Sequence, residues 1–464
     1  MPMPLKLFPT IHSSRRTISK LWKRTYHELS YTHKGDPHQV LTFQTNTLDA
    51  DIEFQNGVND YYQSSNRNSN EQTSDVIVRV AFQYSPLNPA DINSIEGRYP
   101  SPFSLPPTSN NNPPTPKVTD QSLYFPNATI PGSEAVGTVT HISSEYSDLQ
   151  IGDLVIPMYP GLGTWRSSIV SPSQAFFRIG ASLTKDDESS SSSSSSSSLD
   201  PLTLSTINTN PCTAYRLLHD FLPTSVISSL SKDQDGKKSS QIQIVQNGGA
   251  SSVGLAVSQL AHHMGIQCIS IVRQGHRSDS QFQDLCSFLV DRGKNSLVLH
   301  EERLIQGEKE DLRKAIREME DLIPSDPRSE TDVFRKPILG LNCVGGESLT
   351  VMTKLLEPKS TIVTYGGMSQ RPLTIPTGQF IFRQLQFCGY WHSAWLVQNA
   401  QSEERRTMMT FLLDMVQDQK LVLGERRVLD LEEVKKALHM NALPVGDDTI
   451  GESFLKQKIV FQCS

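Results

Sequence analysis

Short apolar runs separated by turn-forming residues dominate the first 180 positions of the chain. Val76–Phe82, Ala135–Ile142 and Leu154–Pro157 each have the length and residue types of a β-strand. The turn sequence Ile151-Gly-Asp153 stands directly before the third run. This pattern predicts a small, strand-rich domain.

From about residue 205 the pattern changes, and strand-like runs alternate with helical ones. Two strand–helix–strand units are predicted: Ile242–Gln246, Val253–Met264 and Cys268–Val272, then Ile338–Asn342, residues 346–356 and Thr361–Tyr365. Alternation of this kind builds a doubly wound parallel sheet. A helix over Glu403–Gln419 and a strand over Lys458–Gln462 complete the predicted α/β chain.

Three polar stretches interrupt these elements. They cover residues 56–74, 100–120 and 184–200, and the last contains the serine run Ser189–Ser198. Such compositions bury too little apolar area to offset chain entropy, so we expect surface loops there.

Composition excludes several classes of protein. The 464 residues carry a net charge of -6, which argues against nucleic acid as the main partner. No apolar run reaches the roughly 18–20 residues that span a bilayer, so no membrane partner is expected. The six cysteines lie far apart without a CxxC pair, so neither a disulfide scaffold nor a structural zinc site is indicated.

The N-terminus has a different character from the rest. No acidic residue precedes Glu28, whereas six basic residues stand before it, among serines and threonines. Acid-poor starts of this type are typical of organellar transit peptides, and residues 1–25 are predicted to be one. A basic tail without a targeting role is the alternative.

A glycine-rich turn follows the first strand of the alternating half. Gly248 and Gly249 lack β-carbons, so the backbone can approach a pyrophosphate at the N-terminus of the next helix. The spacing differs from the standard GxGxxG, and a tight turn that serves only packing is the alternative. The surrounding βαβ pattern favours a dinucleotide site.

The end of the second strand indicates which dinucleotide. NAD sites place an acidic residue there, whereas NADP sites use arginine for the 2′-phosphate. The strand ends in Arg273-Gln-Gly-His-Arg277, and no acid appears before Asp279. These residues favour NADPH, with two solvated loop arginines as the alternative.

These features belong to a wider pattern. The chain resembles the mitochondrial trans-2-enoyl-thioester reductases of the medium-chain dehydrogenase/reductase superfamily. The segments that carry the resemblance run in family order from about residue 26 to the C-terminus: Tyr31–Pro37, Pro86–Asn93, Gly97–Pro100, Gly161–Arg166, Asn210–Tyr215, Gln246–Gly254, Leu341–Gly346, Thr364–Met368 and Gly389–Trp391.

The resemblance implies a fold, a location and an activity. It implies a GroES-like catalytic domain from residues 26–204, a Rossmann domain from 205–394 and a return to the catalytic domain over 395–464. It also implies a homodimer in the mitochondrial matrix that reduces enoyl thioesters of acyl carrier protein or CoA with NADPH.

The resemblance also implies site residues. Tyr99 falls on the catalytic tyrosine. The implied cofactor positions are Asn210, Ala250, Ser251, Ser252, Val253, Arg273, Gln274, Gly275, Arg277, Tyr365, Gly366, Gly367, Met368, Tyr390, Trp391, His392 and Lys458. Two departures stand out, because Arg273–Arg277 replaces the usual Arg-Asp-Arg cluster and Tyr390 is more often phenylalanine in the family.

Zinc chemistry is not expected. Zinc-dependent relatives carry Gly-His-Glu, whereas this chain has Pro131-Gly-Ser-Glu134 with no cysteine near it. No metal is therefore predicted, and Glu134 is expected to have a structural role.

The chemistry of Tyr99 fits the implied reaction. A phenol with an ordinary pKa near 10 stays protonated at working pH and can donate a hydrogen bond to a developing enolate. Without the resemblance, Tyr99 would be read as a turn residue that packs on the core. Trp391 is equally compatible with a lid over the nicotinamide and with core packing.

Two other functions remain open at this point. One is a quinone or alkenal reductase of the same superfamily, which would not need the residues around Tyr99. The other is a non-catalytic sensor that binds NADPH or RNA. Tyr99 together with a complete nucleotide site argues against a sensor, and the net charge of -6 offers no basic surface for RNA.

Overall fold

The computed structural model describes residues 24–65, 75–100, 129–144, 147–181, 199–224, 226–227, 242–322, 336–442 and 457–463. Residues 1–23 of the expected transit peptide lie outside these ranges, and Arg24 and Thr25 already belong to the first strand. Residues 101–120 and 184–198 of the expected loops, with the serine run, also lie outside.

The strand-rich unit contains a seven-stranded sheet of order β14-β15-β3-β4-β5-β7, with β6 paired to β3, and a separate ribbon β1-β2. Its strands are β1 (Arg24–Ser30), β2 (Thr42–Leu48), β3 (Ile77–Pro86), β4 (Val136–Ile142), β5 (Asp153–Pro157), β6 (Ser168–Pro172), β7 (Phe176–Ala181), β14 (Arg426–Asp430) and β15 (Lys458–Gln462). Its helices are α1 (Pro37–Val40), α2 (Ala50–Ser65), α3 (Pro89–Ile95) and α14 (Val434–Ala442).

The second unit is a six-stranded parallel sheet of order β10-β9-β8-β11-β12-β13. Its strands are β8 (Gln243–Asn247), β9 (Gln267–Val272), β10 (Leu297–His300), β11 (Leu339–Asn342), β12 (Thr361–Thr364) and β13 (Gln386–Gly389). The strand order reverses between β8 and β11, as in a Rossmann fold.

The remaining helices lie around the parallel sheet, except the first of them, which contacts β3 and β4. They are α4 (Pro201–Leu204), α5 (Asn210–Phe221), α6 (Ser252–His263), α7 (Asp279–Asp291), α8 (Glu301–Gln306), α9 (Lys309–Asp321), α10 (Gly346–Leu355), α11 (Thr377–Ile381), α12 (His392–Gln398) and α13 (Glu403–Gln417). Within the described residues, no helix is long and apolar enough to cross a membrane. Every strand and helix predicted from the sequence is present, and the predicted α/β fold is confirmed.

The prediction of a polar loop over 56–74 is wrong for residues 56–65, which belong to α2. Tertiary contacts explain the helix. Buried Glu53 accepts hydrogen bonds from Arg79 Nε (2.7 Å) and Ser168 Oγ (2.6 Å). A β-carbon on Gly57 would lie 2.6 Å from Val170, so α2 sits directly on β6. These contacts with β3 and β6 stabilise a helix in a segment whose polar composition predicted a loop.

Helix α13, which follows residue 395, packs against both units, since its buried cluster includes Ile156 of β5. Helix α13 buries Met408, Met409 and Leu412 in the same cluster as Ile244 of β8, beside α5. The chain rejoins the seven-stranded sheet only at β14, which pairs with β15, and β15 then pairs antiparallel to β3.

Candidate active site

The β8–α6 turn lies at the carboxyl edge of the parallel sheet. Gly248 has φ +63°, a conformation that favours glycine. A β-carbon on Gly249 would lie 2.4 Å from Ser270 Cβ on β9, so this position admits only glycine without a shift. Ser251 Oγ accepts the Gly254 N–H (3.1 Å) and caps α6. A tight turn of this kind lets an anion come close to the free N–H groups at the N-terminus of α6, which is the geometry that binds a pyrophosphate.

Two buried asparagines fix the loops after β8 and β11, where the strand order of the parallel sheet reverses and leaves a crevice. Asn247 Nδ2 donates to Asn342 Oδ1 (2.8 Å) and to Ser348 Oγ (3.0 Å). Asn247 Oδ1 accepts the Cys343 N–H (2.8 Å), and Asn342 Oδ1 accepts the Gly345 N–H (3.0 Å). Sequence reasoning missed this pair, although amides at the ends of two apolar strands were a visible signal.

The loop after β12 lies against the loop after β11. The Tyr365 N–H donates to Asn342 O (3.0 Å), and the Met368 N–H donates to Cys343 O (2.9 Å). A β-carbon on Gly366 would lie 3.2 Å from Cys343, whereas one on Gly367 would meet nothing within 4 Å. Met368 is 61% exposed, so this segment borders the crevice without filling it.

The segment Tyr390–His392 joins β13 to α12. The two nitrogens of His392 lie 2.9 Å from Tyr390 Oη and 3.1 Å from Asn208 O. Because a carbonyl only accepts, Nε2 carries the proton and Tyr390 donates to Nδ1. Burial lowers the pKa of His392 to about 3, so the ring is neutral. The Tyr390 hydroxyl is therefore committed to His392, and half-buried Trp391 precedes α12.

The loop after β9 carries the two candidate arginines. Arg273 is exposed, whereas Arg277 Nη1 donates back to Arg273 O (3.2 Å) and Gln274 O (3.1 Å). The N–H groups of Gln274 and Gly275 donate to the carboxylate of Glu302 (3.1 Å each). These two backbone groups are thus occupied. Since Arg277 also donates to the loop itself, Arg273 is the arginine of the loop whose side chain is exposed to solvent.

One pocket brings three predicted cofactor residues together from separate parts of the chain. Asn210 starts α5, Ser252 starts α6 and Lys458 starts β15, and all three line it. Its other lining residues are Thr206, Pro211, Leu255, Ala256, Val422, Leu423, Gly424 and Arg426. Ala250 and Val253 flank the same α6 terminus.

Arg426 was not predicted. Its Nη2 donates to Thr203 Oγ1 (3.0 Å), while its buried Nη1 has no hydrogen-bond partner within the described part of the chain. Burial lowers its pKa. No local sequence signal marks Arg426, because the pocket is completed by residues of α5, α6 and β15 that lie far away in sequence.

Buried carboxylates connect the pocket to the strand-rich unit. Lys458 Nζ donates to Asn88 Oδ1 (2.5 Å), and Asn88 Nδ2 donates to Glu134 Oε2 (3.1 Å). Glu134 Oε1 accepts the Thr209 N–H (2.8 Å) just before α5. Burial raises the pKa of Glu134, and Lys458 opposes that rise. Glu134 thus links Asn88 to the segment before α5, and no metal-binding cluster occurs among the described residues.

Tyr99 lies in the turn that follows α3. Its N–H donates to Asn93 O (3.3 Å), as does that of Arg98 (2.8 Å), and Gly97 has φ +77°. The Tyr99 side chain is 42% exposed and does not line the pocket described above. The structure therefore fixes its backbone by the end of α3 and leaves its ring accessible.

Known structures share this architecture. The mitochondrial 2-enoyl thioester reductase Etr1p/Etr2p heterodimer from Candida tropicalis matches 95% of this chain and 100% of its own, with 25% identity and a TM-score of 0.68. The complex of Etr1p with NADP and crotonyl-CoA matches the same shares with 23% identity and a TM-score of 0.65. A putative NADPH:quinone reductase from Bacillus thuringiensis shares the fold at 16% identity, with a TM-score of 0.60 over 95% of this chain and 100% of its own.

Sequence comparison shows which family within this fold the chain belongs to. No protein-family model matches the chain. The mitochondrial enoyl-acyl-carrier-protein reductase of Xenopus tropicalis is 32% identical over 370 residues, which cover 79% of this chain and 84% of that enzyme. That of Dictyostelium discoideum is 32% identical over 378 residues, with the same shares. Since these matches span most of both chains, this chain belongs to the family of mitochondrial enoyl-acyl-carrier-protein reductases.

Proposed function

We propose that the chain reduces the 2,3 double bond of trans-2-enoyl thioesters with NADPH, as the last reductive step of mitochondrial fatty acid synthesis. The observation that carries this proposal is the convergence of Asn210, Ser252 and Lys458 on one pocket, in a chain of this family. The acyl group arrives on acyl carrier protein or on CoA.

The residues at the carboxyl edge suit NADPH. Added β-carbons at Gly248 and Gly249 would overlap Cys343 and Ser270, so the turn is tight, and the N-terminus of α6 follows it directly. Arg273 is the cation for the 2′-phosphate. The other proposed contacts come from Asn210, Ala250–Val253, Arg277, Tyr365–Met368, Tyr390–His392 and Lys458. Bound NADPH supplies the hydride.

In this proposal, Tyr99 is the hydrogen-bond donor to the thioester oxygen. As the double bond is reduced, negative charge develops on the thioester oxygen and the α-carbon must gain a proton. The Tyr99 hydroxyl donates to that charge from the turn after α3. In this assignment residues 26–204 and the C-terminal return form the catalytic domain, and residues 205–394 form the cofactor domain.

The test is a substrate panel. Purified protein is mixed with NADPH and trans-2-enoyl-CoA esters, quinones or alkenals, and NADPH absorbance is followed. We expect turnover on the enoyl thioesters. Turnover confined to quinones or alkenals would instead assign the chain to the quinone or alkenal reductases.

Location has its own test. We propose that the protein is imported into the mitochondrial matrix and cleaved before β1, whose pairing with β2 begins at Arg24. Residues 1–30 fused to a fluorescent reporter should direct it to mitochondria, and a diffuse cytosolic signal would contradict import.

We propose that two copies associate through β13. This strand ends the parallel sheet, so its outer edge is unpaired among the described residues. Beside it, Phe380, Ile381 and Phe382 are 48%, 59% and 83% exposed. An open strand edge next to an apolar patch is an association surface.

Sedimentation tests the dimer. Phe382→Glu should yield monomers, whereas Val428→Glu, which also charges an exposed apolar position but lies on β14, should leave the dimer intact. A monomeric wild-type protein would overturn the proposal.

A further inference from the structure

Glu302, in α8, bridges to the loop after β9. Its two carboxylate oxygens accept the N–H groups of Gln274 and Gly275, at 3.1 Å each. These backbone groups immediately follow Arg273, the proposed cation for the 2′-phosphate. One side chain thus fixes two successive peptide groups of the loop that carries Arg273, from 27 and 28 positions away in sequence.

Further contacts hold the same loop. His300 Nε2 lies 3.0 Å from Gln274 Oε1, and His300 Nδ1 lies 3.2 Å from Glu302 Oε2. Asp279 Oδ1 accepts from Gln274 Nε2 (2.8 Å). The contacts to Gln274 are made to the loop beside Arg273, the His300–Glu302 contact lies behind that loop, and none of them is made to the Arg273 guanidinium.

Glu302 is held as a carboxylate. Partial burial raises its pKa, but the backbone N–H groups of Gly275, Gln274 and Glu302 and the nearby His300 act together against it, and the pKa lies below its usual value. With both oxygens occupied, Glu302 does not offer the free carboxylate that grips ribose hydroxyls in NAD sites.

We propose that Glu302 is a positioning residue for cofactor selection. It holds the β9–α7 loop in the shape that presents Arg273 to the 2′-phosphate of NADPH. This inference rests on the proposed use of NADPH. NADH lacks that phosphate, so its binding does not depend on how the loop presents Arg273.

The test is Glu302→Gln, since glutamine keeps the size but offers one acceptor oxygen instead of two. The Kd values for NADPH and NADH are measured by quenching of tryptophan fluorescence, without any thioester. We expect the Kd for NADPH to rise about 3- to 10-fold, the range for loss of one such hydrogen bond, and that for NADH to stay unchanged. Glu310→Gln is the matched control, because it removes a carboxylate from neighbouring α9 that pairs with Arg313 and Arg317.

A double variant decides whether Glu302 acts through Arg273. In the Arg273→Ala background, Glu302→Gln should have no further effect on the Kd for NADPH. An additive effect would overturn the proposal. So would equal weakening of NADPH and NADH, which indicates a general structural role, or tighter NADPH binding, which indicates repulsion between Glu302 and the phosphate.

Failure of the proposed function gives a different result. A protein that binds NADPH selectively but reduces no enoyl thioester would refute the activity, while the Kd values would still test Glu302. If Arg273→Ala leaves NADPH binding unchanged, the cofactor assignment and the role of Glu302 both fall.

Discussion

Tyr99 is the proposed donor to the developing enolate. Its backbone is tied to Asn93 at the end of α3, and its ring is exposed. Because the residue is 42% exposed, we expect removal of the hydroxyl to leave the fold intact and to test the chemistry.

We expect Tyr99→Phe to lower turnover on enoyl thioesters by at least about tenfold, because loss of one donor to a developing oxyanion costs about 10²–10³ in rate elsewhere. The Kd for NADPH should stay close to that of the wild type. Stopped-flow rates and fluorescence titration measure the two. Near-normal turnover would remove Tyr99 from the mechanism, and joint loss of both properties would indicate a structural role.

Arg273 is the proposed contact of the 2′-phosphate. Arg273→Ala should raise the KM for NADPH and leave that for NADH almost unchanged, since a charge-assisted contact of about 1.5–3 kcal/mol is lost with NADPH alone. Steady-state kinetics with each cofactor measure this. Equal damage with both cofactors would show that Arg273 does not read the 2′-phosphate.

At the scale of elements, the β8–α6 turn depends on its contact with β9. Gly249 lies so close to Ser270 that an added β-carbon would overlap it at 2.4 Å. The turn is therefore shaped by two strands and a helix at once, and both dinucleotides would use it in the same way.

Gly249→Ala should consequently lower the free energy of unfolding by about 1–3 kcal/mol, the usual cost of overpacking, and weaken NADPH and NADH alike. Urea denaturation and fluorescence titration provide the measurements. Gly180→Ala is the control, because its β-carbon would meet nothing within 4 Å. A Gly249 variant that binds both cofactors normally would place the dinucleotide elsewhere.

At the scale of the whole molecule, two buried carboxylates contact Asn88, and one of them joins the two units. Asp91 accepts from the Asn88 N–H (3.0 Å) and Ser133 Oγ (2.9 Å) in the strand-rich unit. Glu134 reaches the segment before α5. Burial raises the pKa of Asp91 from 3.8 to about 6, so folding favours its protonated form.

The sign of the pH dependence follows from this shift. Between about pH 4 and pH 6 the folded state binds the Asp91 proton more tightly than the unfolded state, so the stability from Asp91 is greatest at low pH and is lost as pH rises through about 6. The loss is up to about 3 kcal/mol, at 1.36 kcal/mol per pKa unit.

Asp91→Asn should remove that slope. Urea unfolding of both proteins at pH 4.5, 5.5 and 6.5 would show wild-type stability falling relative to the variant as pH rises. Parallel curves would mean that Asp91 keeps an ordinary pKa in the folded protein.

The sequence by itself determined the elements and the likeness to a family. Strand runs such as Cys268–Val272 and the helix after Gly249 obey local rules of periodicity and glycine conformation, and the structure confirms them. The alternation of strands and helices also predicted the parallel sheet, because a βαβ unit has few ways to bury both faces.

Only the tertiary structure decided which distant groups meet. Lys458 contacts Asn88 across 370 positions, and Glu302 reaches the loop of Arg273 because β9 and β10 are neighbours. The polar stretch 56–65 became helix because Glu53 and Gly57 sit on β3 and β6. These outcomes depend on strand order and on burial of charge, which act between segments and leave no trace in the local pattern.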